Sequence, residues 1–276
     1  MSMPPESVPP EFSRRIGAIA RAAGDAILNI YHGDFAVQTK VDASPLTAAD
    51  LAAQQVIVAG LGQLETTLPI LSEEARARPW SERQHWSRYW LVDPLDGTRE
   101  FVKRNDEFTV NIALIDQRRS VLGVVLAPVT GDLYVAELGK GAWLQHRAGD
   151  EWQRLRTRSL AQPPTVAGSR SHGGSQRSML EQLVGSDYQM LALGSSLKFC
   201  LIARGQADIY LRQGLTSEWD TAAAQCVLDE AGGAVLDLQG QPFRYNRGES
   251  LLNPEFVAVG DAAVDWAGRL REAIRE

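Results

Sequence analysis

The chain has 276 residues, of which 44% are hydrophobic and 22% are charged, so it can bury the core of one large or two smaller α/β domains. Its formal net charge of -6 argues against nonspecific binding to a nucleic-acid polymer or to an anionic membrane. A small phosphorylated ligand is compatible with this charge, because it needs only a local positive site.

The beginning of the chain, MSMPPESVPPEF, has neither the basic region nor the apolar region of a signal peptide. No apolar run approaches the roughly 18 residues of a membrane span. We therefore expect a cytoplasmic protein without a transmembrane segment, with peripheral association at the inner face of the membrane left open. Apolar residues at steps of three and four predict a first helix over residues 12–30. Thr47 and Asp50 have the spacing of a capping box and predict the start of a second.

The next part of the chain is predicted to be mostly strand. Residues 69–72 predict a short buried strand that ends at Glu73, and the charged residues 76–88 predict a surface loop. Two further strands are predicted at residues 89–92 and 108–115, the second apolar enough to be buried on both faces. A meander then follows, with strands at residues 121–129, 133–138 and 141–145 and a hairpin turn at residues 130–132.

Strands and helices alternate in the remainder. Strands are predicted at residues 165–167, 188–193, 207–211 and 256–259, and helices at residues 176–184, 197–204, 221–231 and 262–274. We therefore expect two layered α/β halves, residues 1–160 and 161–276, joined around residues 156–164. Cys200 and Cys226 fall on apolar helical stretches, which favours buried, reduced, structural thiols.

The segment Asp93-Pro94-Leu95-Asp96-Gly97-Thr98 follows a predicted strand. Pro94 fixes one backbone angle and Gly97 permits a sharp turn, so both carboxylates and the Leu95 carbonyl can point at one place. These ligands are all hard oxygens, which favour Mg²⁺, Mn²⁺ or Ca²⁺ over zinc. The alternative is an ordinary turn whose charges are solvated.

Two acids elsewhere in the chain favour the metal interpretation. Glu73 lies at the end of a predicted strand, and Asp220 lies at the start of the helix in SEWDTAAAQ. Taken singly, Glu73 could be a solvated surface residue and Asp220 an N-cap. Their combination with the Asp93 segment predicts a metal cluster.

The segment GSSLKFC suggests a site for phosphate. Ser195 is a natural N-cap, yet Lys198 falls in the first helical turn, where a cation opposes the helix dipole unless an anion binds there. The alternative is a lysine that bends into solvent. Arg170, His172 and Arg212 lie near strand ends in the same half and could supply a second positive pocket, although such residues are more often surface residues.

The motifs LSEE, VDPLDGT and EWDTAA, in this order and over nearly the whole chain, resemble those of the lithium-sensitive, magnesium-dependent phosphatases that include inositol monophosphatase. WLVDPLDGTREF, SRSH and GSSLKFC are similar to the bacterial 3'(2'),5'-bisphosphate nucleotidase branch of that superfamily. Generic inositol phosphatases usually have Asn-Phe where this chain has Arg99-Glu100-Phe101. The resemblance implies a layered αβαβα sandwich of the inositol monophosphatase and fructose-1,6-bisphosphatase type.

The resemblance also implies roles for individual residues. Glu73, Asp93 and the Leu95 carbonyl would hold one Mg²⁺, and Asp93, Asp96 and Asp220 a second, with two or three ions in all. Thr98, paired with Asp50, would orient the attacking water, and Glu73 would help. Residues implied in substrate binding are Gly97, Thr98, His172, Ser195, Lys198, Arg212 and Asp220.

The reaction implied by the resemblance is hydrolysis of the 3'-phosphate of 3'-phosphoadenosine 5'-phosphate to AMP and phosphate, linked to sulfur assimilation. The partner is then a small nucleotide bisphosphate, and the protein a monomer or a homodimer. Two alternatives stay open: a phosphatase of inositol or sugar phosphates that uses the same metals, and a catalytically silent sensor of a phosphorylated ligand.

Overall fold

The computed structural model describes residues 8–39, 45–76, 78–168 and 174–274. The helices in this part of the chain are α1 (Glu11–Tyr31), α2 (Ala48–Gly62), α3 (Trp80–Arg83), α4 (Thr98–Lys103), α5 (Gly174–Val184), α6 (Leu197–Ala203), α7 (Glu218–Ala231) and α8 (Trp266–Ala273). The strands are β1 (Val37–Thr39), β2 (Pro45–Thr47), β3 (Ile70–Ser72), β4 (Arg88–Asp96), β5 (Thr109–Asp116), β6 (Arg119–Ala127), β7 (Asp132–Glu137), β8 (Gly141–Gln145), β9 (Gln153–Arg154), β10 (Thr165–Gly168), β11 (Gln189–Ala192), β12 (Ile209–Arg212), β13 (Ala234–Asp237) and β14 (Phe256–Val259).

The strands form two main sheets and a two-stranded antiparallel sheet of β1 and β2. One sheet has seven strands in chain order from β3 to β9, and only its β3-β4 pair is parallel. The other has five strands in the order β11-β10-β12-β14-β13, with β10 parallel to both of its neighbours. The hairpin turn predicted at residues 130–132 is confirmed between β6 and β7.

The elements stack in five layers. Helices α1 and α2 cover one face of the seven-stranded sheet, and α6 and α7 lie between that sheet and the five-stranded sheet. Helices α5 and α8 cover the outer face of the five-stranded sheet. The predicted αβαβα sandwich is therefore confirmed. The core between the two sheets takes residues from both sides of position 160, and the division of the chain into two domains there stays a prediction.

The amphipathic pattern of the first helix explains its position. Ile16, Ala20, Ala23 and Ile27 are fully buried and face the seven-stranded sheet, so their burial favours this packing through the hydrophobic effect. The capping box predicted for Thr47 and its partner at the start of α2 is present. The first predicted helix is confirmed within one residue at each end, and the predicted start of the second is confirmed.

Helix α7 rests directly on the seven-stranded sheet at Gly123 of β6. A Cβ atom at Gly123 would lie 2.1 Å from the Ala223 carbonyl oxygen and 2.8 Å from the Cβ of Cys226. The absence of a side chain at this position is what permits the close approach of helix and strand.

Three predictions about individual segments are wrong. Residues 76–88 are not only a surface loop, because they include α3, and Arg83 is buried with its guanidinium bonded to Asn246 Oδ1 at 2.6 Å and to the Glu249 carbonyl. Those partners are distant in sequence, so the local charge pattern gave no sign of them. The last helix begins at Trp266 rather than at residue 262. Strand β4 continues through Asp96 instead of ending before the Asp93 segment.

The two cysteines are unpaired and buried, as predicted. Burial raises the pKa of both thiols above the ordinary value. Among the described residues, no helix has the length and apolar character that crossing a membrane would require.

Candidate active site

The site lies where β4 leaves its regular pairing with β5. Asp93 still pairs with Asn111, but the register shifts before Asp96, and Gly97 then adopts a left-handed φ of +91° at the start of α4. A bulge of this kind redirects the side chains that follow it. Within it, the Leu95 amide donates to Asp93 Oδ1 at 3.0 Å. The acidic segment is thus a bulged strand end, not the solvated turn considered above.

Three carboxylates from different elements converge at this edge. One ligand atom each from Glu73, Asp93 and Asp220 lies within 4.8 Å of the other two. Glu73 follows β3, Asp93 belongs to the neighbouring strand β4, and Asp220 is in the first turn of α7. The predicted convergence of these three acids is therefore present in the fold, and their roles as metal ligands stay a proposal.

The carboxylates of this cluster lie close enough to repel one another. Burial, reinforced by Glu73 and Asp96, raises the pKa of Asp93 well above its usual range. Burial and the neighbouring Asp96 raise the pKa of Asp220 to about 8. Carboxylates that oppose each other in this way fit a divalent cation, and an all-oxygen donor set suits a hard ion such as Mg²⁺.

Asp96 lies beside the three acids but is not one of the converging group. Its Oδ2 accepts hydrogen bonds from the Ser196 amide at 2.7 Å and from the Ser196 hydroxyl at 2.9 Å. The same hydroxyl lies 2.9 Å from the Asp220 carbonyl oxygen and accepts from Asn111 Nδ2 at 2.8 Å. Ser196 therefore links β4, β5 and α7 at the site. No feature of the sequence distinguished it from Ser195.

The pair predicted to orient water is in contact. The Thr98 hydroxyl lies 3.3 Å from Asp50 Oδ1 and 3.3 Å from the Leu95 carbonyl oxygen. The other oxygen of Asp50 accepts from the Thr47 amide and hydroxyl, both at 2.7 Å. Asp50 thus serves the capping box and contacts Thr98 at once.

The start of α7 repeats this capping arrangement. Ser217 is the N-cap, and Asp220 Oδ2 accepts from the Ser217 amide at 2.8 Å. The alternative of Asp220 as N-cap is therefore wrong, because Asp220 is the third residue of α7 and the partner of Ser217 in its capping box. A carboxylate so fixed loses little rotamer freedom when it meets a ligand.

A cavity of about 440 Å³ opens beside the acids, and Asp96, Gly97 and Asp220 form part of its wall. Lys198 and Arg212 also line it. Lys198 is 6% exposed, so the alternative of a solvated lysine is wrong. Its ammonium donates to the Leu193 and Ser195 carbonyls at 3.2 and 2.7 Å and lies 5.1 Å from the centre of the Tyr210 ring. Burial is the main cause that lowers the pKa of Lys198 to about 8.

Other members of the predicted pocket are placed unevenly. Arg212 bonds the Gly214 and Leu215 carbonyls at 3.1 and 3.2 Å. Ser195 lines the cavity in a left-handed conformation, φ +46°, but Ser196 and not Ser195 is the N-cap of α6. Arg170 and His172 lie outside the described residues.

One wall of the cavity was not predicted from the sequence. It consists of Arg99, Glu100 and Lys103 of α4, with Asn105 and Glu107 after it. These residues follow the acidic motif directly, and the Arg-Glu-Phe departure from generic inositol phosphatases was the signal that could have indicated them.

Comparison with known proteins gives concordant results. The inositol monophosphatase family model matches residues 12–270. The chain is 51% identical over 241 residues to the 3'(2'),5'-bisphosphate nucleotidase CysQ of Escherichia coli strain K12, covering 86% of this chain and 95% of that protein. It is 37% identical over 251 residues to CysQ of Haemophilus influenzae, covering 90% and 92%. The crystal structure of CysQ from Bacteroides thetaiotaomicron superposes with a TM-score of 0.78 at 38% identity, covering 90% of this chain and 97% of that one.

The five layers, the acid cluster and these relatives define an enzyme of the metal-dependent phosphatase class. The chain belongs to the inositol monophosphatase family.

Proposed function

We propose that this chain hydrolyses the 3'-phosphate of 3'-phosphoadenosine 5'-phosphate, giving AMP and inorganic phosphate. The observation that carries the proposal is the convergence of Glu73, Asp93 and Asp220 beside a cation-lined cavity. The substrate is suggested by the 51% identity to a bisphosphate nucleotidase over most of both chains. A place in sulfur assimilation, a cytoplasmic location and a monomeric or dimeric state stay predictions from the resemblance.

The residues that would hold two or three Mg²⁺ ions are Glu73, Asp93, Asp96, Asp220 and the Leu95 carbonyl. When bound, Mg²⁺ would neutralise the phosphate oxygens and acidify the attacking water. The Asp96 oxygen that Ser196 does not contact and the converging carboxylates of the cluster suit this role, because they offer hard anionic oxygens within a small space.

The chain's own residues would position the water and the substrate. Asp50 would accept a hydrogen bond from the Thr98 hydroxyl, so that the Thr98 oxygen could accept a hydrogen bond from the attacking water and orient it. Glu73 would take part in the same positioning. The backbone of Gly97, at the bulge, would approach the reacting phosphate without steric hindrance.

The rest of the nucleotide would occupy the cavity. Its volume of about 440 Å³ falls within the range of small-molecule sites. Ser195, Lys198 and Arg212 line it and, with His172 as implied by the resemblance, would bind the nucleoside and the remote phosphate. Binding energy gained there would orient the reacting phosphate.

The direct test is phosphate release from a panel of bisphosphate nucleotides, inositol phosphates and fructose bisphosphate, with Mg²⁺, with and without Li⁺. We expect the bisphosphate nucleotide to be hydrolysed with the highest kcat/KM, and Asp96→Asn to abolish the release. A wild-type protein that leaves every ester intact would favour the silent sensor.

The inositol or sugar phosphatase alternative is separated by Lys198. Lys198→Ala should raise KM for the bisphosphate far more than KM for an inositol monophosphate, because only the former carries a remote anion. Equal changes for the two substrates would support the alternative.

A further inference from the structure

The cavity is lined by cations of two kinds. Lys198 and Arg212 are engaged, since each donates to two backbone carbonyls of the protein. Arg99 and Lys103 also line the cavity, but both are exposed. In the described part of the chain, neither side chain makes a hydrogen bond or an ion pair. Lys198 is buried and Arg212 half-buried, whereas Arg99 and Lys103 lie exposed at the rim of the cavity.

The two rim cations share one face of α4. They are four residues apart, which brings their side chains together on a helix. Like charges at this spacing repel and destabilise the helix by a few tenths of a kcal/mol unless an anion lies between them. An arginine and a lysine together suit a phosphate or sulfate group, because the guanidinium offers a fork of donors and the ammonium a point charge.

The acids on the same wall do not neutralise this pair. Glu107 Oε2 accepts from the Gly194 amide at 2.9 Å. The Glu100 Cγ packs against Gly194, 2.8 Å from where a Cβ of that residue would be. In the described part of the chain, neither acid forms an ion pair or a hydrogen bond with the side chain of Arg99 or Lys103.

We propose that Arg99 and Lys103 form a rim subsite that binds a second anionic group of the substrate, remote from the phosphate that is hydrolysed. This inference rests on the proposed function and deepens it, because it locates part of the preference for a bisphosphate in α4. The ligand chemistry is an anion on the 5' side of the ribose, either a phosphate or a phosphosulfate. A substrate with a single phosphate has nothing to place there.

The test compares Arg99→Gln and Lys103→Gln on two nucleotides that differ only in the remote anion. With 3'-phosphoadenosine 5'-phosphate, each variant should raise KM about 10-fold with kcat nearly unchanged, the lower end of the cost of losing a hydrogen bond to a charged group. With adenosine 3'-phosphate, KM should change less than twofold. Arg118→Gln is the matched control, since Arg118 is an exposed arginine that does not line this cavity.

The outcomes separate the inference from the function beneath it. If the variants have the melting temperature of the wild type and KM changes equally for the two nucleotides, or for neither, the rim subsite is overturned. The proposed function would still stand. A wild-type enzyme that hydrolyses neither nucleotide would overturn both. A third substrate, 3'-phosphoadenosine 5'-phosphosulfate, identifies the group: a larger loss on it than on the bisphosphate assigns the subsite to the sulfate, and an equal loss assigns it to the 5'-phosphate.

Discussion

The starts of α2 and α7 are built alike and face the same site. In each, an aspartate at the third helical position accepts a hydrogen bond from the amide of its own N-cap residue, Asp50 from Thr47 and Asp220 from Ser217. They differ in what lies around the carboxylate. Asp50 contacts the Thr98 hydroxyl, whereas Asp220 belongs to the cluster with Glu73 and Asp93.

In both places the capping box fixes the position of an aspartate, and the residues around the carboxylate decide its role. Both aspartates are held by helix starts, where the dipole favours a negative charge. Asp50 contacts the Thr98 hydroxyl and is suited to orient a water. The other faces acids and is suited to a cation. Predictions that separate the two roles follow from this contrast.

The largest effect is expected at α7. Asp220→Asn should lower kcat/KM by roughly 10³-fold or more, as expected when a group that holds the catalytic ion is lost. It should also abolish the rise in melting temperature on adding Mg²⁺. The metal-free variant should melt no lower than the wild type, because an amide can still accept from the Ser217 amide and removes repulsion from the neighbouring acids. A variant that keeps its Mg²⁺-dependent stabilisation would remove Asp220 from the metal site.

A smaller effect is expected at α2. Thr98→Val should lower kcat by about 10- to 100-fold, as supporting residues of metal sites typically do. The melting temperature should still rise with Mg²⁺, because the three converging acids are untouched. Thr109→Val is a control near the same site, since its hydroxyl lies 3.5 Å from Asp96. If Thr98→Val, but not the control, lost the rise in melting temperature with Mg²⁺, Thr98 would also belong to the metal site.

The start of α6 carries a positive charge, that of Lys198, instead of an aspartate. The pKa of Lys198, lowered mainly by burial to about 8, means that its ammonium is present below pH 8 and is lost as the pH rises through 8. We expect KM for the bisphosphate to rise several-fold between pH 7 and pH 9. Lys198→Arg keeps the charge and should flatten that rise. A profile of KM against pH that is identical in both proteins would contradict a role for this charge in binding.

The smallest effects are expected at the two N-cap residues, Thr47 of α2 and Ser217 of α7. Thr47→Ala and Ser217→Ala should each lower the free energy of unfolding by about 1 kcal/mol, the usual cost of losing an N-cap. Only Ser217→Ala should also raise the Mg²⁺ concentration that half-saturates activity. Denaturant unfolding and a magnesium titration measure the two quantities. A change in magnesium demand with Thr47→Ala as well would show that the two helix starts are not independent.

Much of this arrangement is local in sequence and so could be predicted from it. The apolar spacing of α1, the capping pattern at Asp50 and the turn between β6 and β7 each depend on residues within a few positions of one another. The acid cluster was predictable for a different reason. Carboxylates that end neighbouring strands or begin a helix are brought together by the topology of the sheet.

What could not be predicted depends on contacts between distant segments. The buried guanidinium of Arg83 donates to Asn246 and to the Glu249 carbonyl. The buried ammonium of Lys198 donates to two backbone carbonyls. Ser196 rather than Ser195 contacts Asp96 because the backbone reverses at Ser195. No short-range pattern reports such partners.

Gly123 has no functional group, yet it determines the height of Asp220 above the sheet. Because the backbone of α7 lies in contact with β6 at that point, even one methyl group would lift the helix and carry its first turn away from the strand ends that supply Glu73 and Asp93. A glycine outside the cavity lining thus sets how closely the helix that carries Asp220 approaches the sheet.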